Sequence, residues 1–404
     1  MKPLPDEKPA APSYGTLLGI CCGIAFASYF GSYLRIPVVP LFAVSLGAST
    51  VEVGLINSAF LLMAGVLSFP LGVLSDRVGR KPLIAWGLAI SLITSLLLAF
   101  STSPRQLIGI YLLFGMGLAA VGPTLMTYVA DISPPAYAGR AYGWYTTAIY
   151  SGMSLGPAAG GLVAQGWGFR PLFLLAAGFI FLLIWVTVFF LPEVRGVREK
   201  EPKKVKRKII GKELWQNRPL LGCWLVTLGG CFGQGMFLTF FPLHAHQQGL
   251  KMGQIGMVFA VQAIFNALSR FPIGRLSDMV GHRRNLVVLG FMGFGASLAG
   301  VGVSESMVHF TLTSIALGVT MGLAFTPLGA LVAETAPQES KGLAMGGYNT
   351  CIYLGMMLSS AFMGGVIGML GFAHTFLLAA LLTFLATGLF YLMIKDFLPA
   401  HLEG

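Results

Sequence analysis

The sequence predicts an all-α membrane protein whose twelve transmembrane helices form two pseudo-symmetric six-helix bundles. Three observations carry that prediction. The chain is 55% hydrophobic and only 10% charged, with a mean hydropathy of +0.78, whereas a water-soluble domain carries about 25% charged residues. Apolar runs of around 20 residues recur along it, the length that takes a helix across a bilayer core; a transmembrane barrel would alternate with period two instead. The third is repetition. The charged turn Gly72-Val73-Leu74-Ser75-Asp76-Arg77-Val78-Gly79-Arg80-Lys81 returns 202 residues later as Gly274-Arg275-Leu276-Ser277-Asp278-Met279-Val280-Gly281-His282-Arg283.

Taken in order, residues 1–13 are polar and proline-rich, lack the basic start and apolar core of a signal peptide, and read as a cytoplasmic tail. The first bundle, 14–192, gives helices over 16–42, 51–74, 83–100, 106–130, 139–165 and 171–191. Its loops at 77–81 and 131–140 hold cations, which mark the cytoplasmic side; those at 45–52, 101–105 and 166–170 hold few. Residues 193–218 crowd Lys200, Lys203, Lys204, Lys206, Arg207, Lys208 and Lys212 into a basic linker. It is too short for a domain and is expected to lie against an anionic inner leaflet. The second bundle, 219–396, gives helices over 220–244, 253–276, 286–303, 308–333, 342–370 and 373–394, and 397–404 form a cytoplasmic tail. The repeat extends to Pro40 with Pro242, Gly54 with Gly256, Pro70 with Pro272, Asp131 with Glu334, Gly143 with Gly346 and Tyr150 with Tyr353. An even number of helices per half keeps both copies in one orientation, related by an axis along the membrane normal, with a small-molecule site between them near the midplane.

The net charge of +11 sits mostly in alternate loops, which fits an anionic inner leaflet rather than nucleic acid. Cys21, Cys22, Cys223, Cys231 and Cys351 all lie in apolar runs and read as free thiols. No spacing suits a metal, and there is no nucleophile–base pair or phosphate loop, so neither a cofactor nor an enzyme is expected. A monomer in the cell (inner) membrane, both termini cytoplasmic, is the expected form.

The motif Gly72-x-Leu74-x-Asp76-Arg77-x-Gly79-Arg80-Lys81 resembles the loop signature between helices two and three of the major facilitator superfamily. Gly152-x-x-x-Gly156-Pro157-x-x-Gly160-Gly161 resembles the helix-five motif associated with antiporters of that superfamily. Gly31 followed by Pro37-Val38-x-Pro40 is similar to the end of helix one in its drug-efflux branch. With the repeat, these cover nearly the whole chain. The resemblance implies the major facilitator fold and a secondary transporter that exports small hydrophobic or amphipathic compounds by alternating access, in exchange for protons. One departure stands out. Drug:proton antiporters often carry an arginine four residues before a Gly-x-Gly in helix four; here Tyr111 precedes Gly115-x-Gly117. No Asp or Glu falls in the middle third of any predicted helix. A facilitator or importer of a small metabolite or lipid-type substrate, without proton coupling, therefore stays open, as does a membrane sensor from outside the transport class.

Three groups of residues are candidate sites. Asp76 ends helix two, where an ionised group needs partners because its desolvation is costly. The expected partners are the N-terminus of helix eleven near residues 342–345, a positive dipole end, and Arg80, which can also reach Asp131. Asp278, Arg283 and Glu334 would form a looser copy, and Gly72, Arg77, Gly79 and Lys81 shape and charge the first turn. Together these are expected to latch the inner side while the transporter faces outward; the bland alternative is that the cations only fix topology. Gly152, Gly156 and Gly160 share one helix face, bare enough for another backbone to approach, and Pro157 invites a bend. With Gly161 they are expected to be a hinge and seal between the bundles, or else ordinary close packing, and are more complete than Gly355, Ser359 and Gly364 in the second half.

The substrate cavity is expected to draw on Tyr29, Tyr33, Arg35, Asn57, Tyr128, Gln234, Gln262, Asn266, Asn349 and Tyr353, each of which could instead bond helix to helix. Arg35 and Arg270 are either functional or snorkel to headgroups. His244, His246 and His309 fall at outward helix ends and are expected at the surface. A cavity without fixed central charge would suit hydrophobic or neutral cargo.

Overall fold

The computed structural model describes residues 13–134, 137–193, 214–280, 283–337 and 340–395. The expectations placed on the first twelve residues, the linker cations, Gly281, His282 and the C-terminal tail lie outside these described residues.

The first half runs α1 (Tyr14–Tyr33), α2 (Val39–Ser45), α3 (Thr50–Val78), α4 (Arg80–Phe100), α5 (Pro104–Ile132), α6 (Ala138–Trp167) and α7 (Phe169–Phe190). The single helix expected over 16–42 is therefore two. The N–H groups of Val38 and Val39 both donate to the Arg35 carbonyl, at 3.0 and 2.9 Å, closing a tight bend. Pro40, which has no N–H to offer, sits in the first turn of α2, where none is needed. α3 opens on a capping box: the Ser49 hydroxyl accepts from the Glu52 N–H, and the Glu52 carboxylate accepts from the Ser49 N–H at 2.9 Å. It closes on Gly79, whose φ of 108° belongs to the region glycine enters without strain. Because Arg80 already starts α4, the charged turn is a joint one residue long.

The second half runs α8 (Arg218–Gln247), α9 (Met252–Val280), α10 (Arg283–Gly302), α11 (Met307–Thr335) and α12 (Lys341–Ile394). α12 holds 54 residues because two spans run together across Gly371, the one non-helical residue inside it. Among the described residues, ten helices are long and apolar enough to cross a membrane. Counting α12 twice and adding the glycine-rich α6, which must cross to link its neighbours, gives the twelve expected crossings.

Within the first half α1 packs on α6, α3 on α5, and α4 on both α5 and α7; within the second α8 packs on α12, and α11 on α9 and α10. Between halves, α3 meets α12 and α6 meets α9. α9 is the repeat of α3 and the first span of α12 the repeat of α6, so one contact is the other seen through the pseudo-twofold. Many buried hydroxyls in these helices bond their own backbone, as Ser58 to the Gly54 carbonyl (2.8 Å) and Thr187 to that of Leu183 (2.8 Å), while Thr124, Ser314, Thr326 and Ser359 do not. Those that bond the backbone avoid the penalty of an unpaired polar group where no water is supplied.

Candidate functional site: a central cleft and its charged rim

The two halves meet tightly at the end away from the charged turns. There the Thr50 hydroxyl donates to the Gly364 carbonyl at 2.7 Å, and the Gly253 N–H donates to the Gln165 side-chain oxygen at 3.0 Å. A β-carbon on Gly54 would overlap the Ser360 carbonyl oxygen, and one on Gly256 that of Pro157. Each of the four interface helices then tells the same story. Gly54 and Gly72 on α3, Gly161 and Gly143 on α6, Gly256 and Gly274 on α9, and Gly364 and Gly346 on α12 are each eighteen residues apart. That is five full turns and hence one face. The first of each pair touches the other half; of the second, Gly72, Gly143 and Gly346 meet nothing within 4 Å and Gly274 only Thr326 of its own half, at 3.9 Å. The cleft is shut at the far end and open at the charged end.

Two adjoining lobes of about 580 and 350 Å³ fill the cleft and share Tyr33, Leu238, Ile352 and Met356. Seven of the ten expected cavity residues line them: Tyr29, Tyr33, Asn349 and Tyr353 in the larger lobe, and Tyr33 again with Gln234, Gln262 and Asn266 in the smaller. Asn57 does not; it is 3% exposed inside the first half. Nor does Tyr128, whose hydroxyl donates to the Pro192 carbonyl at 2.8 Å and ties α5 to the chain leaving α7.

Arg35 lies behind the cavity wall rather than in it. It is fully buried, so it does not snorkel. Its guanidinium donates to Thr94 (3.1 Å) and Ser95 (2.9 Å) and stacks 4.1 Å from the centre of Phe114, a lining residue. The Phe114 ring lies 5.6 Å from that of Tyr111, so the first half does bring an arginine beside the helix-four position, from the α1–α2 bend. Thr94 and Ser95 already donate to the Ser91 carbonyl, so losing Arg35 empties only acceptor lone pairs. Arg35→Met is accordingly expected to change stability by less than about 1 kcal/mol, or to raise it, since it removes a buried charge without a carboxylate. Melting of the purified protein checks this; a loss above about 3 kcal/mol, the size expected for breaking a buried pair, would contradict it. His244 is also interior, 3% exposed between Phe310, Phe372 and Phe376, whereas His246 and His309 are exposed.

Sequence reasoning missed Tyr145 and Tyr150, which line the larger and smaller lobes respectively. Tyr150 was within reach, because its repeat partner Tyr353 was already a candidate. The expectation of no fixed charge fails as well. Arg270 lines the smaller lobe; its Nε donates to the Asn266 side-chain oxygen at 2.9 Å and its guanidinium lies 4.9 Å from the Tyr150 ring centre.

At the charged rim, Arg80 is the hub. Its side chain is 5% exposed; Nε holds Asp131 at 3.0 Å, and Nη1 contacts Asp76 and the Ser75 hydroxyl. The second half repeats this with Arg283, paired to Asp278 at 2.9 Å and to Glu334. Every one of these pairs joins helices of the same half, and all are present while the charged end is open. Asp76 is 62% exposed, and its only ion-pair partner among the described residues is Arg80, so in this conformation the start of α12 is not its ligand.

The helix-five motif also packs differently from expectation. Gly152, Gly156 and Gly160 receive the α1 backbone at Phe26, Phe30 and Leu34, inside the first half. The adjacent face, Pro157 and Gly161, is the one that meets α9. Gly355 does in the second half what Gly152 does in the first, admitting the α8 backbone at Leu228 as Gly152 admits that of α1 at Phe26, so the two copies are more alike than the sequence suggests.

The family model of the Major Facilitator Superfamily matches residues 21–253 and again 231–403. The chain belongs to the major facilitator superfamily. It is 26% identical over 373 residues to an uncharacterized MFS-type transporter of Methanocaldococcus jannaschii, covering 92% of this chain and 96% of that one. It is 27% identical over 368 residues to the multi-drug resistance efflux pump PmrA of Streptococcus pneumoniae, covering 86% and 90%. The fold matches the crystal structure of a bacterial homologue of the human lysosomal transporter Spinster, in an inward-facing and occupied conformation, with a TM-score of 0.80. That match has 16% identity and covers 96% of this chain and 98% of that one. This major facilitator protein is thus a multi-pass membrane transporter of small molecules, not an enzyme.

Proposed function

We propose that this transporter exports small amphipathic compounds by alternating access, with the present conformation open to the cytoplasm. The observation that carries the reading is the set of four glycine pairs: one face of each interface helix is built to accept a backbone at both ends, and only one end is occupied. A rocking of the halves that exchanges the closed end for the open one is the motion such a surface suits. The cation distribution supports the direction. Among the described residues, Arg77, Arg80, Lys81, Arg140, Arg275, Arg283, Arg284 and Lys341 stand at the open end and only Arg105, Arg170 and Lys251 at the closed one, as expected if the open end is cytoplasmic. The same asymmetry supports an inner-membrane protein with its basic rim at the anionic leaflet, and a monomer is the form proposed. Export rests on likeness to the multidrug pump.

A second reading, a facilitator without proton coupling, is favoured by the lining itself: neither lobe has an Asp, Glu or His among its lining residues. Vesicles of the purified protein loaded with an amphipathic dye decide between them. Protein-dependent dye flux is expected with and without a proton gradient. Acceleration by the gradient selects the antiporter, indifference the facilitator, and no protein-dependent flux of any dye or drug in a broad panel sinks the export reading.

A further inference from the structure

The smaller lobe holds a charge that no carboxylate among the described residues answers. Arg270 lies ten residues before the end of α9, roughly 15 Å inside the mouth at 1.5 Å per residue. Only its Nε is used, on Asn266; no described residue accepts from Nη1 or Nη2, and no carboxylate lines the lobe. Arg270 is half-buried, and a cation set this far inside a membrane protein is stabilised by an anion that pairs with it. Around it, Met153, Met321 and Phe325 provide apolar wall. On the facing helix α8, Gln234 leaves its buried side-chain oxygen without a partner. The guanidinium reaches Tyr150 of the other half, so its free edge lies where the halves meet.

We propose that the smaller lobe takes the anionic head of a single-headed amphipath, a carboxylate or a phosphate monoester on an apolar body. The two free Nη groups form the planar fork that such heads accept two bonds from. Gln234 accepts from a hydroxyl on or beside the head. The apolar body runs along the methionine and phenylalanine wall toward the larger lobe. This deepens the export reading and rests on it: the cargo of the cleft is an amphipathic anion rather than a neutral or cationic compound.

The test is equilibrium binding to the full-length protein in discs of zwitterionic lipid, with empty discs subtracted. The probes are dodecanoate, dodecyl phosphate and dodecyltrimethylammonium, which share one tail. At least one anion is expected to bind about tenfold or more tighter than the cation, and the better of the two names the head. Arg270→Gln is expected to erase that preference, and Arg270→Lys to keep a reduced one, because an ammonium lacks the fork. The wild-type comparison needs no variant: a cation bound as tightly as both anions overturns the proposal, as does an Arg270→Gln protein that still prefers anions. Binding is read without flux, so the two readings fail separately. A protein that moves cationic dyes across vesicles but shows no preference for the anions remains an exporter and refutes this assignment. One that prefers the anions while moving nothing keeps the site and loses the export reading.

Discussion

Gly256→Val is expected to leave the protein unable to shut its far mouth and to cut transport by about tenfold or more. The side chain would grow into the Pro157 carbonyl, with the Ala158 Cα at 3.2 Å from its first carbon. Both obstacles are backbone, so no rotamer change relieves them. Overpacking of this kind costs about 1–3 kcal/mol, and the cost falls only on the conformation in which α6 and α9 touch. A state-specific penalty of that size shifts a two-state population about 5- to 150-fold. Spin labels replacing the exposed Val51 and Met369, at the far ends of α3 and of the first span of α12, report the mouth directly. On a background freed of native cysteines, Gly256→Val should move their separation to longer values. Gly346→Val, on the matching face at the open end, meets nothing here. It should therefore leave the labels at short separation while also stopping transport, by blocking the other closure. Wild-type flux and an unchanged label separation in Gly256→Val would refute the two-ended reading of the glycine pairs.

What the sequence makes legible follows from what side-chain type alone can specify. The charged turn can be read because its logic is local: an apolar run, a glycine at a joint with φ of 108°, cations at a helix end. Its second copy shows that the joint belongs to an architecture. The Arg80–Asp131 and Arg283–Glu334 pairs can be anticipated for the same reason, since topology puts both partners of each on one rim. What fails is anything that depends on which neighbour a helix face meets. Gly152, Gly156 and Gly160 announce a close backbone approach, but nothing in their spacing says that the backbone is α1 rather than the opposite half. Arg35 is misplaced because a continuous helix was drawn over 16–42, whereas the bend between Tyr33 and Val39 resets the helical phase and turns the side chain onto Thr94 and Ser95. Arg270 lies on a helix whose lining face includes Gln262 and Asn266. Its spacing of four from Asn266 already put it on that face.

Asp76→Asn is expected to abolish transport while leaving the amount and melting of the protein in the membrane almost unchanged. In the open conformation the carboxylate is 62% exposed and, among the described residues, bonded only to Arg80, four residues along the chain. Asp76 is solvated and Arg80 keeps Asp131 and Ser75 without it, so losing this contact costs this conformation less than about 1 kcal/mol. The alternate conformation closes the charged end, which brings the start of α12 toward α3. The first turn of α12 holds unbonded N–H groups, a positive dipole end and Lys341, and a carboxylate answers all three. The carboxylate is therefore needed in the state not seen here, and asparagine would deny that state its anion. Arg80→Gln should act in the opposite sense, on stability first. Arg80 is 5% exposed and serves Asp76, Asp131 and Ser75 together, so its removal strands Asp131 at the rim. The cost is about 2 kcal/mol, discounted from the fully buried case because Asp131 is 25% exposed. Arg283→Gln should cost less, since Arg283 is itself 19% exposed. Thermal unfolding of the three variants in detergent orders them, with Arg80→Gln lowest and Asp76→Asn nearest the parent. If Asp76→Asn transports normally, the carboxylate belongs to its pair with Arg80 alone, and the switch has to lie in the glycine faces.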